Sequence, residues 1–181
     1  DKAYGDQERL PYDETTPLPS YPFGCAVCEV EVDPETGVVQ VMRHSTVDDC
    51  GRAVNPLILH GQTHGGIAAG VGQALMELCH YDPVTGQTAS ATFMDYAIPR
   101  ADTLPSFVTE ISEVPSTSNP LGLRGGGEGG TTPALAAVVN AIVDALADLG
   151  VEHVEMPATP ERVWQAIESA RSRVASGPGG G

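Results

Sequence analysis

From Arg124 to Pro133 the chain reads RGGGEGGTTP, and five of the six residues from 125 to 130 are glycine, the sixth being Glu128. Glycine loses more conformational entropy on ordering than any other residue. Such a run is therefore kept only where the backbone needs unusual dihedrals or something packs close against it. Directly behind the loop, Leu135, Val138, Val139, Ile142, Val143, Leu146 and Leu149 recur at helical spacing until Gly150. That pattern predicts a helix with Thr132 as its cap and Pro133 at its first position. A carboxylate thus stands just ahead of a helix start, where unpaired backbone N–H groups favour anions or polar ligands. The plainer alternative is a turn glutamate that caps neighbouring amides.

Gly125, Gly127 and Gly130 also satisfy the dinucleotide pattern GxGxxG. The loop, however, follows NPLGLR where a phosphate cradle would follow an apolar strand, and the chain's only lysine is Lys2. A glutamate inside the loop would repel a pyrophosphate. Nucleotide binding is accordingly kept as a runner-up reading.

A net charge of −15, from nine basic against 24 acidic residues, makes nucleic acid and anionic membrane surfaces poor partners. The segment Gly61–Cys79 is interrupted by Gln62, His64, Gln73 and Glu77, so no membrane span is expected. Four cysteines are too few for a disulfide framework and suggest a reducing compartment. Cys25 and Cys28 lie in FGCAVCEVEV, whose alternation predicts a strand; residues three apart then point to opposite faces and cannot close on one metal.

Further along, Phe23–Val32 and Val38–Val47 read as strands joined by the DPETG turn into a hairpin, and a second DPVTG at Asp82–Gly86 separates LCHY from TASATFMDY in the same way. GQTHGGIAAGVGQALMEL is expected to be a buried, tightly packed helix, its Gly66-xxx-Gly70 spacing admitting another backbone. His64 is read there as a lone histidine without a partner at ligand spacing. Ser106–Glu113 predicts a strand, VEHVEMP a short strand-like piece, and Thr159-Pro160 the start of a last helix through Val163, Trp164 and Ile167. The expected organisation is an extended arm over residues 1–20, one domain over 21–168 and a flexible tail over 169–181. The fold class is mixed α/β (α+β), with β-hairpins packed by helices.

In order, YPFGCAVCEVEVDPETG, VDDCGRAVNPLILHGQTHGGIAAGVGQAL, MDYAIPRADTLPSF, NPLGLRGGGEGGTTPALAAVVNAIVDAL and MPATPERVWQAI resemble the C-terminal part of the molybdenum-binding large subunit of the molybdenum hydroxylases, the xanthine oxidase family. The similarity is greatest to the branch of aerobic carbon monoxide dehydrogenase large chains. The resemblance implies a molybdopterin cofactor in its cytosine dinucleotide form, with the metal held by the pterin dithiolene and not by protein side chains. Within the family's G-x-G-E-[GA]-G loop, the glutamate matching Glu128 is the general base toward a molybdenum-bound hydroxyl that attacks an electron-poor carbon, with oxygen drawn ultimately from water. The glutamine of GQ-x-x-GG, here Gln62, contacts the pterin side. Gly65, Gly66, Gly127 and Gly129 give the backbone approach around these two residues. A sheltered site would raise the Glu128 pKa and Arg124 would oppose that rise. Gly126 departs from the family pattern, which has a small aliphatic residue there. The resemblance further implies a cytoplasmic complex with an FAD subunit, an iron–sulfur subunit and the remaining part of the molybdenum subunit, without which this chain would be inactive. A noncatalytic assembly module is the competing expectation.

Overall fold

The computed structural model describes residues 20–175. The expected arm, save Ser20, and the last six residues lie outside that range. Two long strands, β1 (Phe23–Val32) and β2 (Val39–Asp49), pair antiparallel. The DPETG turn between them is held by Asp33, whose carboxylate accepts from the Glu35 amide at 2.9 Å and the Thr36 hydroxyl at 2.7 Å. These bonds to the charged form lower the Asp33 pKa. The register runs from Phe23 opposite Asp49 to Val32 opposite Val39, with one bulge that leaves Met42 unpaired.

Helix α1 (Pro56–Leu75) leaves β2 and returns the chain to β3 (Val108–Ser112), which lies parallel to β2 on the side away from β1. Asn55 caps α1 by accepting from the Ile58 amide at 3.3 Å, and Pro56 opens the helix. The helix therefore starts before the Gly61 boundary expected from its glycines; Asn-Pro was the signal for the true start. Helix α2 (Thr131–Ala145) and a 3-10 turn (Ala147–Leu149) follow, Gly150 adopts a left-handed conformation at φ 78°, and α3 (Pro160–Ala175) completes the fold. Because α3 buries Ala170 and runs to Ala175, it extends past residue 168, where a flexible tail was expected.

Ile67, Val71 and Ala74 of α1 meet Ala134, Val138 and Ile142 of α2, Val163 and Ile167 of α3 and Val41 of β2 in one core. Two expectations are corrected. VEHVEMP forms no strand: Val151 and Val154 are buried in the core individually, without a ladder partner. The second turn is built like the first, with Asp82 accepting from the Val84 and Thr85 amides at 3.0 and 2.7 Å, but its flanks pair only through one bridge, Tyr81 with Thr88. Among the described residues no layer covers those flanks, and Phe93 and Met94 are almost fully exposed.

Candidate active site

The close meeting of α1 with the start of α2 sets the site. A Cβ on Gly66 would stand 2.9 Å from the Thr131 amide nitrogen, and one on Gly70 would stand 2.7 Å from the Ala134 Cβ and 2.8 Å from the Thr131 carbonyl. Gly130 is packed just as tightly against the Thr63 carbonyl. These glycines are needed for helix packing, and Gly66 makes this contact with the start of α2.

Gly130 already has helical dihedrals (φ −77°, ψ −36°) and makes no side-chain cap. The helix thus begins at Thr131, one residue before the expected Thr132 cap. In place of a cap, the Glu128 carbonyl accepts from the Thr131 amide at 3.1 Å, the Thr132 amide at 3.3 Å and the Thr132 hydroxyl at 3.4 Å. The backbone of Glu128 is therefore held in place while its carboxylate remains exposed.

Glu128 lines an open cavity of about 330 Å³ with Tyr21, Pro22, Phe23, Gly24, Asp48, Gly129, Thr132 and Pro133. Asp48 is the residue that the sequence reading missed. It sits opposite Gly24 on the core-facing side of β2 and is 5% exposed. Its Oδ1 accepts from the Thr46 hydroxyl at 3.3 Å and its Oδ2 from the Thr63 hydroxyl at 3.4 Å. A Cβ on Gly24 would approach Asp48 Oδ1 to 2.6 Å, and one on Gly129 would lie 3.7 Å from Asp48 Cγ. Asp48 thus joins the α1 turn that carries Gln62 to the loop that carries Glu128. An acidic residue sharing a strand face with Thr46 and His44 was the available signal.

Arg124 does not face Glu128. Its Nε is 3.7 Å from Asp49 Oδ1, its Nη1 donates to Ser20 Oγ at 3.1 Å and to the Tyr21 carbonyl at 3.4 Å, and the guanidinium lies 4.5 Å from the centre of the Phe23 ring. Its charge is directed to Asp49, so the expected opposition to Glu128 has no contact behind it.

Gln62 is exposed, and its amide meets no hydrogen-bond partner among the described residues. Gly65 and Gly127 are exposed too, and a Cβ on either would find nothing within 4 Å, so neither glycine is explained by packing among the described residues. His64 is not alone. His60 lies one helical turn earlier, and His60 Nδ1 and His64 Nε2 both reach Thr109 Oγ1, at 2.8 and 3.1 Å. A hydroxyl has one hydrogen to give, so at most one imidazole accepts from it and at least one donates its N–H to it. Cys25 pairs with Val47 and Cys28 with His44 on opposite faces of the sheet. Burial and the neighbouring Glu29 push the Cys28 thiol up to about 11. Among the described residues no three His, Cys, Asp or Glu side chains come together at ligand distance.

Residues 3–105 match the model of the molybdopterin cofactor-binding domain, and the chain belongs to that family. Within it, the chain is 37% identical over 149 residues to the carbon monoxide dehydrogenase large chain of Hydrogenophaga pseudoflava, covering 82% of this chain and 18% of that one. It is 41% identical to the nicotine 6-hydroxylase large subunit of Paenarthrobacter nicotinovorans, covering 84% and 19%. The structure of reconstituted carbon monoxide dehydrogenase from Oligotropha carboxidovorans superposes with a TM-score of 0.78 at 35% identity, over 82% of this chain and 18% of that one. The mixed α/β architecture is therefore that of the matched molybdopterin-binding part of the molybdenum hydroxylase large subunits. The chain spans about a fifth of the length of these relatives.

Proposed function

We propose that this chain forms one wall of the molybdopterin site in a molybdenum-dependent oxidoreductase, with Glu128 as its catalytic base. The observation that carries this reading is the placement of Glu128: three donors pin its carbonyl, and the exposed residue lines a cavity. The residues present suit an organic cofactor. The Gln62 amide offers two donors and an acceptor to a pterin edge, and Gly65 and Gly127 leave room that a Cβ would fill. Gly129 lets the loop settle over Asp48. When bound, the cofactor, in its cytosine dinucleotide form, supplies the two-electron oxidation chemistry of hydroxylation or of carbon monoxide oxidation.

Glu128 takes the proton from the oxygen nucleophile, which is drawn from water, and the fixed carbonyl sets the backbone position from which its side chain reaches. Gln62 orients the cofactor, while Asp48 holds the α1 turn and the glycine loop in register. Electrons leave through an iron–sulfur subunit and an FAD subunit, and the remainder of the molybdenum subunit completes the pocket. The complex works in the cytoplasm, and no described helix is long and apolar enough to cross a membrane. Alone, the chain is inactive.

Glu128→Gln in the assembled enzyme tests the assignment. Turnover should fall roughly 10²–10⁴-fold, the usual worth of a positioned base, with molybdenum content unchanged. Full turnover in that variant would leave the chain as a noncatalytic assembly module.

A further inference from the structure

We propose that Leu59, on α1, is a positioning residue for Glu128, its side chain being the floor that sets the height of the glycine loop. The proposal rests on the reading of Glu128 as the base. Hydrogen bonds tie the loop at its two ends. The Arg124 amide donates to the Cys50 carbonyl at 2.9 Å and the Gly125 amide to the Ser20 carbonyl at 3.2 Å, and on the far side the Thr131 and Thr132 amides donate to the Glu128 carbonyl. Between these ties stands a contact of shape. A Cβ on Gly126 would come 2.6 Å from Leu59 Cδ2 and 3.6 Å from Cys50 Sγ, so the leucine methyl takes the space that a side chain at 126 would need.

Leu59 lies one helical turn before Thr63, so the two residues share a face of α1. Gly130 rests on the Thr63 carbonyl as Gly126 rests on Leu59, and Glu128 stands midway between the two contacts. The Thr63 support is backbone; the Leu59 support is a half-buried side chain and can be resized. Leu59 also lines a second cavity, of about 270 Å³, with Cys50, Leu123 and Arg124. Shortening the leucine would open that space to the underside of Gly126, and a loop made mostly of glycine has little stiffness with which to hold its place. A displacement of about 1 Å can cost about 10²-fold in rate, so a small sag is enough to matter.

A size exchange in the assembled enzyme tests this, read by turnover and by amide hydrogen exchange of the segment 124–130. Leu59→Ala should lower kcat by about fivefold or more, with KM within about twofold, molybdenum content unchanged and exchange in the segment faster. Leu59→Met, which keeps the volume, should leave both readouts within about twofold of the parent. Adding Gly126→Ala to Leu59→Ala returns a methyl to the same space and should bring back roughly half of the parent kcat or more, together with the slow exchange. Unchanged exchange in Leu59→Ala would overturn the proposal. So would a loss carried by KM or by molybdenum content, or a double variant no better than the single one. If Leu59→Ala does not assemble, Leu59→Val carries the test: faster exchange supports the proposal and unchanged exchange sinks it. Glu128→Gln separates the two readings. Full turnover there removes the base assignment, while the exchange data still decide whether Leu59 holds the loop; turnover lost there but kept in Leu59→Ala overturns the role of Leu59 alone.

Discussion

Gly37 and Gly65 show how differently a glycine can be required. Gly37 closes the first hairpin at φ 73°, and a Cβ there would run into the Pro160 carbonyl and stand 2.7 Å from the Trp164 amide nitrogen. Gly37→Ala should therefore destabilise the fold by more than about 1 kcal/mol, read as a lower urea midpoint. Gly65 sits in α1 with open space around it, so Gly65→Ala should leave the fold unharmed or stabilise it by about 0.5–1 kcal/mol. In the assembled enzyme the same change should lower molybdenum content if Gly65 faces the cofactor as proposed, because the added methyl would take up that space. Equal molybdenum loading would remove Gly65 from the site. His44 provides a pH test. It is fully buried, neither ring nitrogen has a partner among the described residues, and its ring meets Phe107 edge-on at 6.1 Å. Burial lowers its pKa, against a smaller opposing pull from Asp48. The folded pKa lies below the ordinary 6.5, so the unfolded chain binds the extra proton first, and this contribution to stability is lost as pH falls through that region. The slope from one group is at most about 1.4 kcal/mol per pH unit. His44→Phe should flatten the decline in unfolding free energy between pH 7.5 and 5.5; an unchanged slope would exonerate His44.

At the scale of elements, the α1–α2 contact governs both stability and the site. Gly70→Ala places a methyl against Ala134 and Thr131 and should cost about 1–3 kcal/mol as overpacking. Because the same contact fixes Thr131, the variant should also weaken assembled-enzyme turnover more than its stability loss explains, measured well below its melting temperature. The two hairpin turns, β1, α2 and α3 were legible because each carries its own local signal: aspartate-centred turns, alternation, or apolar residues at helical spacing. The start of α1 was misplaced because five glycines outweighed the Asn55-Pro56 cap in a reading by propensity. VEHVEMP has the alternation of a strand, yet Val151 and Val154 use it to reach the core one residue at a time. Ladder pairing depends on a neighbour that no local pattern can report.

Over the whole molecule, apolar side chains remain uncovered on several sides. Val54, Leu57, Val84, Phe93 and Met94 are each more than three-quarters exposed. Isolated soluble domains seldom leave this many large apolar side chains to water, and the relatives are about five times as long. The purified chain should bind a hydrophobic dye and self-associate on size exclusion, and both signals should fall when it is coexpressed with the rest of a molybdenum subunit. A monomer that ignores the dye would show that these side chains have no partner to meet.

The amino-acid order by itself determined the family, the glycine loop with its lone glutamate and the amphipathic helix behind it, because these depend on residues near one another in the chain. Only the tertiary structure decided which glycines pack helices and which face open space, that Arg124 turns to Asp49, and that Asp48 comes under Gly129 from 81 positions away. Those outcomes follow from how two helices and a sheet pack together, and packing is set by the whole chain at once.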